Sequence, residues 1–198
     1  STDTKLQKFA TENSSKTHHP ETSNFPLPTS TFHLFNLSLF LSQHVTSRNA
    51  SLFEADLERC NDALAERING HSVLVIGGAG SIGASFIKAL LKFRPARLLV
   101  VDLNENGLTE LVRDLRSSLG YHIPEHFLTY PLDFGDPVFE KLFLREGPFD
   151  IVANFAAHKH VRSEKDIFSV SALLHNNVIH AGRLLSFLSE APPEHFFC

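Results

Sequence analysis

Apolar residues follow two rhythms along this chain. Short, nearly unbroken apolar runs stand at 72–76, 98–102, 127–132 and 150–155, each the length of a strand covered on both faces. Between them apolar side chains recur every third or fourth residue. Ile82, Phe86, Ile87, Leu90 and Leu91 share one helical face, and Pro95 stops that helix. Leu108, Leu111, Val112, Leu115 and Leu119 share another, capped by Asn104 and stopped by Gly120. Asp136-Pro137 opens a short helix, a cap followed by a good first helical residue. A long helix is predicted over 169–189, with Pro192-Pro193 beyond it. His195-Phe196-Phe197-Cys198 reads as the opening of a fifth strand. The strict alternation predicts an α/β fold, a doubly wound parallel sheet with helices on both faces. The expected strand order is 3-2-1-4, with the fifth beside the fourth.

Upstream of the first run, 51–68 predicts one more helix. Ser51 and Glu54 have the spacing of a capping box, and Glu54, Asp56 and Glu58 suit a helix N-terminus. Phe53, Leu57, Cys60, Leu64 and Ile68 form its apolar stripe, and Asn69-Gly70 ends it. Residues 1 to 30, rich in Ser, Thr, Pro, His and Lys, predict a mobile arm. Phe32, Phe35, Leu39 and Phe40 fall at helical spacing and predict a short helix, lying on this subunit's own surface or against a partner. The expected organisation is an arm and short helix at 1–45, an N-terminal helix at 46–70, and the α/β domain at 71–198. The fifth strand has barely begun where the sequence stops. The sequence is therefore expected to be a piece of a longer protein, or one whose sheet another chain completes. Apolar surface near Phe196 and Phe197 would favour self-association, so a homo-oligomer is one expectation.

Composition narrows the classes. Hydrophobic residues make up 42% of the 198, enough for a core. A net charge of -4 without a basic run leaves no footprint for nucleic acid. The longest apolar stretch, 32–41, is interrupted by His33, Asn36 and Ser38; it is too short to span a bilayer and lacks the flanks of a signal peptide. Nothing pairs Cys60 with Cys198, and a cytoplasmic location is expected.

The chemistry gathers at Gly77-Gly78-Ala79-Gly80-Ser81-Ile82-Gly83. This cluster follows the first strand and opens the first long helix, and the second strand ends in Asp102. Strand, glycine turn, helix, strand and acid is the order of a nucleotide-binding βαβ unit, which makes the predicted sheet Rossmann-like. The alternative, a glycine-rich turn with no ligand, leaves that order unexplained. Gly77 permits the tight turn, Gly80 has no side chain to block a diphosphate, and Gly83 lets the helix pack close to the sheet. The N–H groups of the first turn, at Ser81, Ile82 and Gly83, then face the anion. Asp102 stands 19 residues after Gly83 and suits the ribose hydroxyls of an adenosine, the alternative being a strand-end carboxylate that caps its own turn. A carboxylate there repels a 2′-phosphate, and Leu103 follows where an NADP enzyme often offers an Arg. NAD is therefore expected over NADP.

Asp133, followed by Phe134, ends the third strand and is read either as an adenine contact or as a solvated acid. Ala156 and Ala157 leave room for a ligand above the fourth strand. Lys159 belongs at the same crevice, or else is a plain surface lysine. His158 and His160 flank it, but two His at this spacing without a third ligand make no persuasive metal site, and none is expected.

VLVIGGAGSIG, VVDLNENGLTEL, FDIVANFAAHKHV and NNV before a helix together resemble the extended short-chain dehydrogenase/reductase superfamily. Within it they are most similar to the CapD-like polysaccharide-biosynthesis group of nucleotide-sugar 4,6-dehydratases and epimerases. The resemblance covers residues 48 to 198, and departs from the group at Ile76, usually Thr, and at Arg162, usually Pro. It implies a tightly held NAD(P)+ that takes hydride from C4 of a nucleotide sugar such as UDP-N-acetylglucosamine and later returns it. It implies that Asn177 is the superfamily's helix asparagine, which supports the active-site lysine; the alternative is a buried polar residue on a long helix. It also implies that the acid–base residues lie after the fifth strand. The catalytic residues are therefore unknown here, and the 198 residues alone are expected to bind a dinucleotide without turnover. The competing expectation is a non-catalytic dinucleotide-binding or regulatory module.

Overall fold

The computed structural model of the chain describes residues 44–45, 53–159 and 166–198. The expectations for the arm and short helix, for the Ser51 cap and for His160 lie outside them. The chain divides into two units, Ser1–Ser51 and Leu52–Cys198, and the sheet with its helices belongs to the second.

Five parallel strands form that sheet: β1 (Ser72–Ile76), β2 (Arg97–Asp102), β3 (His126–Pro131), β4 (Ile151–Asn154) and β5 (His195–Phe197), in the order β3-β2-β1-β4-β5. This is the predicted order. Its physical basis is the period of two along each strand. Leu74 and Ile76 of β1 project to one face, with Leu99, Val101 and Val152 from its neighbours. Val73 and Val75 project to the other, with Leu98, Val100 and Ile151. Over β1, β2 and β4 neither face meets water, whereas β3 and β5 at the edges are partly exposed. Helices α3 (Ser81–Leu90) and α4 (Glu105–Ser117) cover the second face through Ile87, Leu90, Leu108, Leu111 and Leu115. Helices α5 (Pro137–Glu146) and α7 (Ala181–Glu190) cover the first through Phe139, Phe143, Leu184 and Leu188. Each such side chain contributes roughly 1.5–3 kcal/mol by leaving water.

Four readings of the pattern are corrected. The helix over 51–68 breaks at Cys60 into α1 (Glu54–Arg59) and α2 (Asn61–Ile68), and its stripe is not a buried one. Phe53, Leu57 and Cys60 are exposed, and only Leu64 and Ile68 are half-buried. The stripe lies ahead of the sheet, and only its C-terminal end reaches the core. Ile82 is more than half exposed, because the first turn of α3 projects past the strand ends. Leu119 is fully exposed, because α4 ends at Ser117, and Ser118 is already extended. The long helix begins at Ile167 beneath an Asp166 cap. It runs as α6 (Ile167–Leu174), a π-helical turn at His175–His180, and α7.

At the amino ends of the strands, Asp150 and Ser72 lock β4 to β1. The N–H and hydroxyl of Ser72 both donate to Asp150 Oδ2 at 2.7 Å. The Asp150 N–H donates to Ser72 Oγ at 3.1 Å. The Ser72 backbone bond leads in holding the Asp150 carboxyl below its ordinary range, with the Ser72 hydroxyl, His71 and Arg97 adding to it against the cost of burial. A depressed carboxyl stabilises the fold above its unfolded pKa of about 4 and loses that contribution as pH falls through the folded value. Asp150→Asn is expected to cost about 1–3 kcal/mol at pH 7. Urea midpoints across pH are the check: the gap to the unmodified chain should narrow as the solution is acidified below about pH 4.

Candidate functional site

A cleft of about 270 Å³ opens at the carboxyl ends of β1 to β4. Its floor begins where β1 runs into Gly77, at φ +77°. A Cβ at Gly77 would lie 2.5 Å from the Ala156 nitrogen, so the missing side chain lets the loops after β1 and β4 touch. The other glycines divide the work differently from expectation. Gly83 packs onto the glycine loop itself, where a Cβ would stand 2.2 Å from Gly77 O. Gly78 makes the close approach to the sheet, at Val100. Gly80 is different in kind. Its Cβ would meet only Gly77 O, at an ordinary 3.5 Å, so the fold leaves the space before Gly80 open.

Gly80 is also the N-cap of α3, and no side chain caps that helix. The starts of α4, α5 and α6 are capped by Asn104, Asp136 and Asp166. The first-turn N–H groups of α3, at Ser81, Ile82 and Gly83, therefore have no side-chain acceptor beside the cleft, the arrangement an anion completes. Asp102 stands next to them at the end of β2. Its Oδ2 accepts the Ala79 N–H at 2.9 Å, and its Oδ1 accepts the Asn104 N–H at 2.8 Å. The carboxylate thus ties the glycine loop to the loop after β2. Each oxygen keeps a second acceptor direction, enough for a ribose hydroxyl.

Asp133 and Phe134 continue the wall after β3. Asp133 Oδ1 accepts the Gly135 N–H at 2.8 Å, and Phe134 is buried as part of the core. Ala156 and Ala157 line the opposite wall with His158 and Asn176. Asn154, buried at the end of β4, turns the chain there by accepting the Ala156 N–H at 3.1 Å. Among the described residues, no three His, Cys, Asp or Glu side chains group as metal ligands, and no helix is long and apolar enough to cross a membrane.

Residues 73–197 match the family of polysaccharide biosynthesis proteins. The chain belongs to that family. It is a CapD-like member. Over 98 residues it is 30% identical to the probable polysaccharide biosynthesis protein EpsC of Bacillus subtilis, covering 50% of this chain and 16% of that protein. Over 90 residues it is 39% identical to the uncharacterized membrane protein MJ1061 of Methanocaldococcus jannaschii, covering 46% of this chain and 24% of that one. The chain thus spans less than a quarter of the length of these curated relatives. Its fold is similar to that of Pen from Bacillus thuringiensis, with TM-score 0.54 and 20% identity, over 65% of this chain and 37% of that one. It is also similar to the UDP-Glc/GlcNAc 4-epimerase of Campylobacter jejuni, with TM-score 0.53 and 25% identity, over 64% and 36%.

In this member of the family, the residues singled out from sequence do not all meet. Gly77, Gly80, Asp102, Asp133, Phe134, Ala156 and Ala157 line the cleft, and the first turn of α3 stands beside it. Lys159 is exposed and is not among the lining residues. Asn177 is not among them either. Its Oδ1 accepts the His158 N–H at 2.9 Å and its Nδ2 donates to the His158 carbonyl at 3.0 Å, so it clamps the loop after β4. Asn176 reaches the cleft instead. It is buried, and its Nδ2 donates to Asn177 Oδ1 at 2.9 Å. The Asn-Asn pair was the available signal. Ordinary helical periodicity does not say which of two adjacent amides a π turn directs to the cleft.

Proposed function

We propose that this chain holds the NAD of an enzyme that acts on nucleotide sugars in polysaccharide biosynthesis, an epimerase or a 4,6-dehydratase. The observation that carries this reading is the uncapped start of α3, opening through Gly80 into a cleft whose neighbouring strand ends in Asp102. The N–H groups of the first turn accommodate the diphosphate, and Asp102 accepts from the adenosine ribose. Asp133 lies on the base side, and the Ala156-Ala157 wall leaves room towards the sugar. When bound, the dinucleotide supplies a hydride acceptor for a sugar carbon. The chain's own contribution is to hold it in place and to keep the glycine loop and the loop after β4 rigid. The Campylobacter jejuni neighbour is named for UDP-Glc and UDP-GlcNAc, which favours a UDP-sugar as the substrate class. The domain boundary is placed near His71, and the two exposed free cysteines suit a reducing compartment such as the cytoplasm. Calorimetric titration of the purified chain with NAD+ tests the reading. Saturable binding is expected. A folded chain that gives no heat with NAD+ or NADP+ would sink it.

A further inference from the structure

Beside the cleft, one buried side-chain polar atom among the described residues has no hydrogen-bond partner. His180, at the end of the π turn, occupies the space that a side chain at Gly135 would fill. A Cβ there would lie 2.0 Å from its Nδ1 and 2.2 Å from its Cγ. The ring stands edge-on to Phe134 at 5.7 Å and to His175 at 6.0 Å. Arg183 donates to the Gly135 carbonyl at 3.3 Å. The His180 Nδ1 is buried 3.5 Å from Asp133 Oδ1 and makes no hydrogen bond. The Asp133 carboxylate is held by one hydrogen bond, from the Gly135 N–H to that same oxygen, and Asp133 lines the cleft.

A bare Nδ1 facing a carboxylate oxygen would set lone pair against lone pair, so the ring proton belongs on Nδ1. A carboxylate tied at one oxygen by one donor still swings about that bond. A second donor from the side removes the swing. Closing 3.5 Å to hydrogen-bond length takes a movement of only about 0.5 Å. We propose that His180, fitted against Gly135, is the positioning residue for Asp133: its Nδ1–H fixes one carboxylate oxygen so that the other is presented to the amino group of a purine in the cleft. This rests on the dinucleotide reading above.

The test has two arms. The first needs no ligand. Long-range ¹H–¹⁵N correlation of the histidine rings in the unligated chain should place the His180 proton on Nδ1, and Asp133→Ala should move it towards Nε2. A bare Nδ1 in the unmodified chain overturns the proposal, whether or not a dinucleotide binds. The second arm compares calorimetric affinities for NAD+ and for nicotinamide hypoxanthine dinucleotide, in which a carbonyl replaces the amino group. The unmodified chain should prefer NAD+ about tenfold, the worth of one good hydrogen bond. His180→Phe keeps the ring and its contact with Phe134 but has no donor, and should abolish the preference in a folded chain. His180→Asn, whose amide nitrogen reaches the position of Nδ1, should restore it. Full preference in His180→Phe, or an Asn variant no better than Phe, also overturns the proposal. If the unmodified chain binds neither dinucleotide, the cofactor reading fails instead, and the ring-proton arm still decides the role of His180.

Discussion

Gly80→Val removes dinucleotide binding and leaves the sheet folded. The expectation rests on the space around Gly80. Its φ of −71° is open to any residue, and a Cβ there meets nothing closer than 3.5 Å. The fold therefore tolerates a side chain. The ligand would not, because the two valine methyls stand over the start of α3, where the diphosphate meets the first-turn N–H groups. Losing that contact should weaken binding by at least about 100-fold, or about 3 kcal/mol. Gly83→Val is the contrasting variant. Its Cβ would lie 2.2 Å from Gly77 O, so the glycine loop must move and the protein itself loses stability. Calorimetry with NAD+ alongside thermal melts separates the two. Gly80→Val should melt close to the unmodified chain and show no titration, and Gly83→Val should melt earlier. Undiminished affinity in Gly80→Val would show that the diphosphate does not lie there.

The second large effect expected is a preference for NAD over NADP. The Asp102 carboxylate is fixed by two backbone N–H groups, from Ala79 and Asn104, and so is not free to turn away from a 2′-phosphate. Leu103 beside it is exposed and offers no compensating charge. Like charges roughly 5 Å apart at an effective dielectric of about 20 cost about 3 kcal/mol, on the order of 100-fold in affinity. Asp102→Asn removes the charge but accepts only one of the two N–H bonds, so it should also cost about 1 kcal/mol of stability. The ratio of the two affinities isolates the charge, because the looser loop affects both cofactors. That ratio should fall towards one in Asp102→Asn. Equal affinities in the unmodified chain would exclude Asp102 from the ribose.

The sheet was legible from residues close together in the chain. Strand burial on both faces writes itself as unbroken runs, helix burial as a period of three to four, and the turn as glycines. The predicted strand order followed because parallel strands with helical crossovers have few ways to pack. Gly77, Gly80 and Asp102 belong to one βαβ unit, so spacing alone brings them together. Two kinds of detail were not legible. Where a helix ends relative to the sheet decides burial, so Ile82 and Leu119 fit an apolar face on paper and stand in water in the fold.

The other kind depends on residues far apart in sequence. Which glycine touches the sheet depends on Val100, and which asparagine faces the cleft depends on a π turn and on His158. The space filled by His180 exists only because Gly135, 45 residues away, has no side chain. By itself the sequence determined the α/β alternation, the glycine turn and the acid after the second strand, since each is a property of a few neighbouring residues. The partners of Asp102, Asn177 and His180 were decided only when the strands aligned their carboxyl ends. A hydrogen bond or a close packing contact needs two groups in one place, and sequence spacing does not encode that place.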